Sequence, residues 1–295
     1  MTLFLEQLVN GISLGSLYAL FGIGFGLVFA TLGVLNVAHG AYASWAAILG
    51  YFSVEYFGVP FPVAVAIGVL GGGLIAIVVD QIGFQPLRGR KTGMLGALIT
   101  SIAFLIILDS LAGMATNHQS WAFPSNSFPS GMVDLGMIRV PQMQIIIILA
   151  TLVCGGGIYA LIQKTRIGAA MRAVGWNPEA AALSGVNPRI VILLTAFLAG
   201  ATSGLAGVLG GAATSNVSFM LGEGLLLKGF AAVVVGGFDD VRGTVIAGIL
   251  LGICEVFVAQ YLSTTYRDGF TYILLLTFLV ARPRGLFGSR DFVRA

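Results

Sequence analysis

The chain has 295 residues, of which 57% are hydrophobic and only 9% charged, and its formal net charge is +3. A water-soluble domain carries about 25% charged residues, so this chain has too little polar surface to cover a soluble globule. The charge is too small to point to nucleic acid, and the basic residues fall beside apolar runs, which already accounts for them.

No Asp, Glu, Lys or Arg interrupts residues 7–54, 56–79, 140–163 or 190–222. Each stretch is long enough to cross about 30 Å of hydrocarbon as a helix of about 20 residues. The expected fold is all-α, a polytopic transmembrane helix bundle of eight or nine spans that takes in residues 1–295 as a single membrane domain. In chain order the predicted spans are 8–31, 37–57, 61–83, 93–115, 142–162, 190–213, 225–238, 244–262 and 269–281. The seventh and ninth are short, and the seventh carries Lys228, so it reads either as a plain span or as a broken or re-entrant helix. The start lacks a basic segment, and its apolar run is too long for a cleavable signal.

Between the first two spans lies Gly33-Val34-Leu35-Asn36-Val37-Ala38-His39-Gly40. The uncharged stretch around it is too long for one span, so a break is expected here. Asn36 and His39 stand three apart, on one face of a helix. The pair either caps the second helix, a role for which Asn is well suited, or faces a water-filled path.

Four ionisable residues fall within or near spans: Asp80, Asp109, Lys228 and Glu255. Such groups are costly in lipid and face a partner or a cavity. Asp80, near a span end, is expected to snorkel or cap. For Asp109, Lys228 and Glu255 the leading expectation is a structural ion pair, with contact along a translocation path as the alternative. Lys228 has either acid, or Glu223, within reach. Cys154 and Cys254 lie in apolar runs with no Cys/His spacing around them, so no metal site is expected.

Residues 116–141 form a polar connection with Trp121, Phe123, Phe128 and three prolines, suited to a semi-rigid surface or to a plain loop. Residues 164–188 are polar and basic. Within them Asn177-Pro178-Glu179 reads as a helix start, with cap, first position and acidic first turn. Gly185 with Asn187-Pro188 reads as its stop. A helix of about eight residues is too short to be stable alone, so something packs against it.

Orientation follows from Lys and Arg. Arg88, Arg90, Lys91, Lys164, Arg166, Arg172, Arg189, Arg242, Arg282, Arg284, Arg290 and Arg294 make 12 of the 15 basic residues. If nine spans cross, all of these share one side, which is then the cytoplasm. That places 164–188 and the C-terminus inside and 116–141 outside. Asp239-Asp240-Val241-Arg242-Gly243 is read as a tight cytoplasmic hairpin or a further contact for a partner. Glycine is abundant, 42 residues, and recurs at four-residue spacing inside the spans, as in Gly11/Gly15, Gly68/Gly72, Gly200/Gly204 and Gly248/Gly252. In lipid this pattern marks close helix packing.

Glu179-Ala180-Ala181 followed by Gly185 resembles the EAA motif of binding-protein-dependent ABC permeases, although the later Ile-x-Leu-Pro of that motif is not matched. Three further segments are similar to branched-chain amino acid permeases of the high-affinity LIV type. They are the start from Asn10 to Leu20, the Leu35-Asn36-Val37-Ala38-His39-Gly40 element, and Lys228 to Gly237 followed by Gly243. The resemblance runs from about Gln7 to Phe287 in the expected order.

That resemblance implies a transmembrane permease subunit of a bacterial inner membrane importer, not an enzyme. It implies a second homologous permease, two ABC ATPase subunits and a periplasmic or lipid-anchored solute-binding protein as partners. It further implies alternating access driven by ATP, with the coupling contact carried by Arg172, Asn177, Pro178, Glu179, Ala180, Ala181 and Gly185. Asn36, His39, Asp109, Lys228 and Glu255 are the candidates for the translocation path. The cargo implied is a branched-chain or other amino acid, with urea or a short amide as the alternative within the family. The chain has no Gly-x-x-x-x-Gly-Lys-Ser/Thr, so ATP and Mg are expected in the partner subunits. A secondary transporter needing no ATPase is the rival class.

Overall fold

The computed structural model describes residues 2–88, 93–124, 126–134, 136, 138–238, 240–282 and 285–287. Arg90, Lys91, Asp239, Arg284, Arg290 and Arg294 lie outside the described residues, so their predicted placement stays with the sequence.

Eleven helices occur among the described residues: α1 Thr2–Leu32, α2 His39–Phe57, α3 Phe61–Val79, α4 Gly93–Ala115, α5 Gln142–Lys164, α6 Arg166–Trp176, α7 Pro178–Leu183, α8 Pro188–Thr214, α9 Leu221–Gly236, α10 Val241–Tyr261 and α11 Arg267–Ala281. A two-stranded antiparallel hairpin, β1 Met132–Asp134 and β2 Arg139–Pro141, stands between α4 and α5. The result is the expected all-α polytopic bundle, and each of the nine predicted spans is a helix. Among the described residues, six helices are long and apolar enough to cross a membrane: α1, α3 with its continuation to Leu87, α4, α5, α8 and α10.

α1 forms the centre of the bundle, with α5, α8, α9 and α10 packed around it. The glycine pairs explain how the backbones come so close. Gly11 and Gly15 of α1 face Gly248 and Gly252 of α10, and a Cβ on Gly11 would stand 2.6 Å from Ile253 Cα. Gly68 and Gly72 of α3 meet Gly200 and Gly204 of α8 in the same way, and a Cβ on Gly72 would stand 2.6 Å from Gly200 O. Apolar burial gives helices little reason to associate in lipid, so such backbone contact is a main source of attraction. α4 and α5 are peripheral, with Leu95, Ile99, Ile106, Leu149 and Val153 exposed.

Arg88, Arg172 and Arg189 stand at one end of the bundle. A groove there joins Leu32, Arg88, Glu179 and Arg189, and a neighbouring cavity joins Thr31, Arg172 and Asp240. The chain after α11 returns to this end, where Leu286 N–H donates to Val235 O at 2.8 Å. At the opposite end, residues after α4 are ordered by aromatic packing. Trp121 stacks on Tyr51 with ring centroids 5.0 Å apart and exchanges backbone hydrogen bonds with Val217, while Phe123 is buried against Phe61.

Candidate functional site

The segment 164–188 folds as two helices rather than one helix in a loop. Thr165 caps α6 by accepting from Gly168 N–H at 3.1 Å. Asn177 caps α7 as expected, its Oδ1 accepting from Glu179 N–H at 2.9 Å and Ala180 N–H at 3.0 Å. Pro178 fills the first position, where no intrahelical N–H is needed. The helix ends after six residues, and Gly185 takes φ 84°, a left-handed conformation that suits a residue without Cβ.

α7 is held by one small residue. Ala181 is buried with Met171 and Val174 of α6 and Val191 and Ile192 of α8. Its other face is open: Glu179, Ala180 and Ala182 are exposed, and Leu183 is 91% exposed. Arg172 is not part of α7. It lies on α6, exposed, and its Nη1 donates to Ile162 O at the end of α5. α6 itself presses on α1, with Gly175 against Ala30 and Thr31. Between α1, α6 and the turn before α10 lies a cavity of about 240 Å³, bordered by Ile23, Leu27, Met171, Trp176 and Asp240.

The break between α1 and α2 begins at Gly33, whose φ is 66°. Asn36 lies in the unwound stretch and its side chain does not cap α2; the N-cap is Ala38, without a side-chain bond. Asn36 Nδ2 instead donates to Tyr42 OH at 3.2 Å. His39 opens α2 and is fully buried. Its Nε2 donates to Phe21 O at 3.3 Å, and the rings of Phe21 and Tyr42 meet it edge-on at centroid distances of 4.6 and 5.7 Å. The geometry is that of a histidine packed in the bundle core, with Ser203 of α8 donating to its backbone oxygen at 3.0 Å.

Lys228 and Glu255 are brought together, at 2.6 Å. Glu255 also accepts from Tyr18 OH at 2.8 Å and from Arg267 Nε, and Lys228 reaches Asp268 at 2.9 Å. Asp109 does not join them. Its charged neighbour is Glu223 of α9, another acid, so among the described residues the expected ion pair is absent there. Asp80 does not snorkel: it is buried and paired with Arg88.

Tyr18, Arg267 and Tyr42 were not singled out from the sequence. A tyrosine inside an apolar helix is itself a signal, because a buried hydroxyl needs a partner. Nothing local announces that Tyr18 finds it 237 residues away.

The family described as branched-chain amino acid transport system / permease component matches residues 7–279. The high-affinity branched-chain amino acid transport system permease protein LivH of Escherichia coli K12 is 31% identical over 299 residues, 98% of this chain and 96% of the relative. BraD, the corresponding protein of Pseudomonas aeruginosa, is 29% identical, over 98% of this chain and 97% of the relative. Among solved structures, PsaBC from Streptococcus pneumoniae in complex with Fab aligns with a TM-score of 0.48 at 14% identity, covering 92% of this chain and 89% of that one.

Proposed function

The chain belongs to the branched-chain amino acid transport permease family, and we propose that it is the translocation subunit of an importer carrying a branched-chain amino acid inward across a bacterial inner membrane. The observation that carries this reading is α7. It is a six-residue helix, capped by Asn177, ended at Gly185, fixed to the bundle through Ala181 and open on its other face. A short projection seated on α6 and α8, with an open outer face, suits the transfer of force from outside the bundle. It stands at the end that holds Arg88, Arg172 and Arg189, which is the cytoplasmic end under the positive-inside rule.

In this reading two ATPase subunits bind ATP and Mg, one against α7 of this chain and one against a second homologous permease. Their closure moves α6 and α7 with the base of α1 and α8, and the bundle opens alternately to each side. The described residues between 116 and 141 at the opposite end receive a solute-binding protein. The chain itself carries out no covalent chemistry and acts as one permease unit over its length. Arg172 supports the contact indirectly, by tying α6 to the end of α5.

The test is reconstitution of the permease pair with its ATPases and binding protein in proteoliposomes. Leucine, isoleucine, valine, urea and a short amide are offered in turn. ATP-dependent uptake of the three amino acids is expected. Uptake of urea or the amide alone overturns the cargo, and uptake without any ATPase overturns the importer reading.

A further inference from the structure

A line of polar side chains runs inward from the junction of α7 and α8. Asn187 caps α8 by accepting from Arg189 N–H at 3.1 Å. Arg189 Nη2 donates to Gln81 Oε1 at 3.2 Å, and Gln81 Nε2 donates to Asp80 Oδ2 at 3.3 Å. Asp80 opens a π-helical turn, Asp80–Phe84, that continues α3, and its other oxygen is held by Arg88. Turns of this kind recur at functional sites. From the other direction, Asn36 in the α1–α2 break donates to Tyr42 OH at 3.2 Å.

The two halves face each other across a small cavity of about 10 Å³, lined by Asn36, Tyr42, Asp80, Val28, Ala76 and Phe84 among others. Asn36, Tyr42 and Asp80 are 6%, 1% and 2% exposed. Among the described residues, Asn36 Oδ1 is buried with no hydrogen-bond partner. A space of this size holds about one water, and a buried water makes about three hydrogen bonds. The site offers three polar groups. A bare cation fits it worse, because Arg88 already balances the charge of Asp80.

We propose that one water, bound by Asn36 Oδ1, Tyr42 OH and the Asp80 carboxylate, closes a continuous relay from the α7–α8 junction to the α1–α2 break. Asp80 is then a positioning residue, through which displacement at α7 is passed to the unwound segment 33–36. That segment, with its positive φ at Gly33, is the natural hinge between α1 and α2. This inference rests on the importer reading above.

The experiment uses the reconstituted transporter and whichever substrate the wild type imports. It reads substrate taken up per ATP hydrolysed, together with thermal melting. Tyr42→Phe removes one arm of the water, and Gln81→Leu breaks the outer half of the line at a half-buried position. Each is expected to lower uptake per ATP about fivefold, the worth of one buried hydrogen bond. The double variant is expected to lose no more than either single one, since a line broken once is already broken. Unchanged uptake per ATP in both single variants overturns the relay, and so do losses that multiply. If Tyr42→Phe does not fold, Gln81→Leu alone decides in the same way.

The occupant is tested separately. Replacing Na⁺ by choline is expected to leave uptake unchanged, and a density map of the complex is expected to show one water at the site. A Na⁺ requirement, or an empty cavity, overturns the water. A wild type that imports nothing with ATP fails the importer reading instead, and the map still tests the water.

Discussion

Lys228 Nζ lies 2.6 Å from Glu255 Oε1, so α9 and α10 are joined by an ion pair whose acid is fully buried. Tyr18 of α1 and Arg267 at the start of α11 bond to the same carboxylate, and four helices meet at one group. An unpaired charge in this setting is strongly disfavoured. Glu255→Gln is expected to destabilise the bundle by about 3 kcal/mol, because it leaves Lys228 and Arg267 without their buried carboxylate, while Lys228→Met is expected to cost less, because Arg267 still pairs with Glu255. Asp268, whose side chain is 62% exposed, contributes at the rim, and Asp268→Asn is expected to cost under about 1 kcal/mol. Thermal melting of the three variants in detergent orders them. Equal losses for Asp268→Asn and Glu255→Gln would remove the distinction between centre and rim.

The glycine seams give a second expectation. Gly72→Val places branched carbons where Gly200 O and Gly204 Cα already stand, and Gly252→Val does so against Gly15 and Gly11. Overpacking of this kind costs about 1–3 kcal/mol, and backbone neighbours have little freedom to retreat. Gly156 has no heavy atom within 4 Å of where a Cβ would lie, so Gly156→Ala is expected to be neutral. The check is the yield of monodisperse protein and its melting temperature. Comparable damage from all three variants would mean that glycine content, rather than position, sets stability.

The contrast between these two sets of residues shows what was legible in the chain. Gly11/Gly15 and Gly248/Gly252 were readable as packing surfaces because four-residue spacing is a local property of a helix. The cap at Asn177 and the stop at Gly185 were readable for the same reason, since the whole motif spans nine residues. The helix Arg166–Trp176 was missed, although Met171, Val174 and Gly175 mark a buried face at helical spacing. Its basic residues drew the segment toward a loop reading. An ion pair for Lys228 was legible, with Glu255 among its possible partners, but the choice of Glu255 and the other partners of the ionisable groups were not. Glu255 takes donors from residues 18, 228 and 267, and Asp109 faces another acid; such choices are made by packing between distant segments. His39 was read either as capping or packing or as facing a water path, and in the fold its ring is packed among Phe21, Phe25 and Tyr42.

At the end opposite α7, Trp121 anchors the connection after α4. Its ring stacks on Tyr51 and meets Phe52 edge-on at 5.2 Å, and its backbone pairs with Val217. Trp121→Ala is expected to cost about 1–2 kcal/mol from the two aromatic contacts. The loss should be local, because the backbone bridge and the buried Phe123 remain. Limited proteolysis is the suitable measurement: faster cleavage within 116–131 is expected, with the helices after residue 142 still protected. Cleavage spread evenly over the chain would show that the connection holds the whole bundle together.

α7 separates stability from coupling more cleanly than any other element, because its two faces do different things. Ala181 is buried and Leu183, two positions on, is 91% exposed. Leu183→Asp therefore removes no contact within the chain and should leave the melting temperature unchanged. If an ATPase subunit covers this face, the same change places a charge in an apolar contact, and its affinity should fall at least about tenfold, as for a central interface residue. Asn177→Ala acts on the helix itself. It frees the N–H groups of Glu179 and Ala180 and is expected to cost about 1 kcal/mol locally. Gly185→Val adds about 1–2 kcal/mol of backbone strain at φ 84°. These two variants should loosen α7 on the bundle and lower substrate uptake per ATP hydrolysed while the ATPases still bind. Co-purification of the ATPase subunits, measured beside uptake, distinguishes the cases: lost binding for Leu183→Asp, retained binding with poor coupling for Asn177→Ala and Gly185→Val. Full uptake in all three would mean that force enters the bundle elsewhere, with the turn around Asp240 as the next place to look.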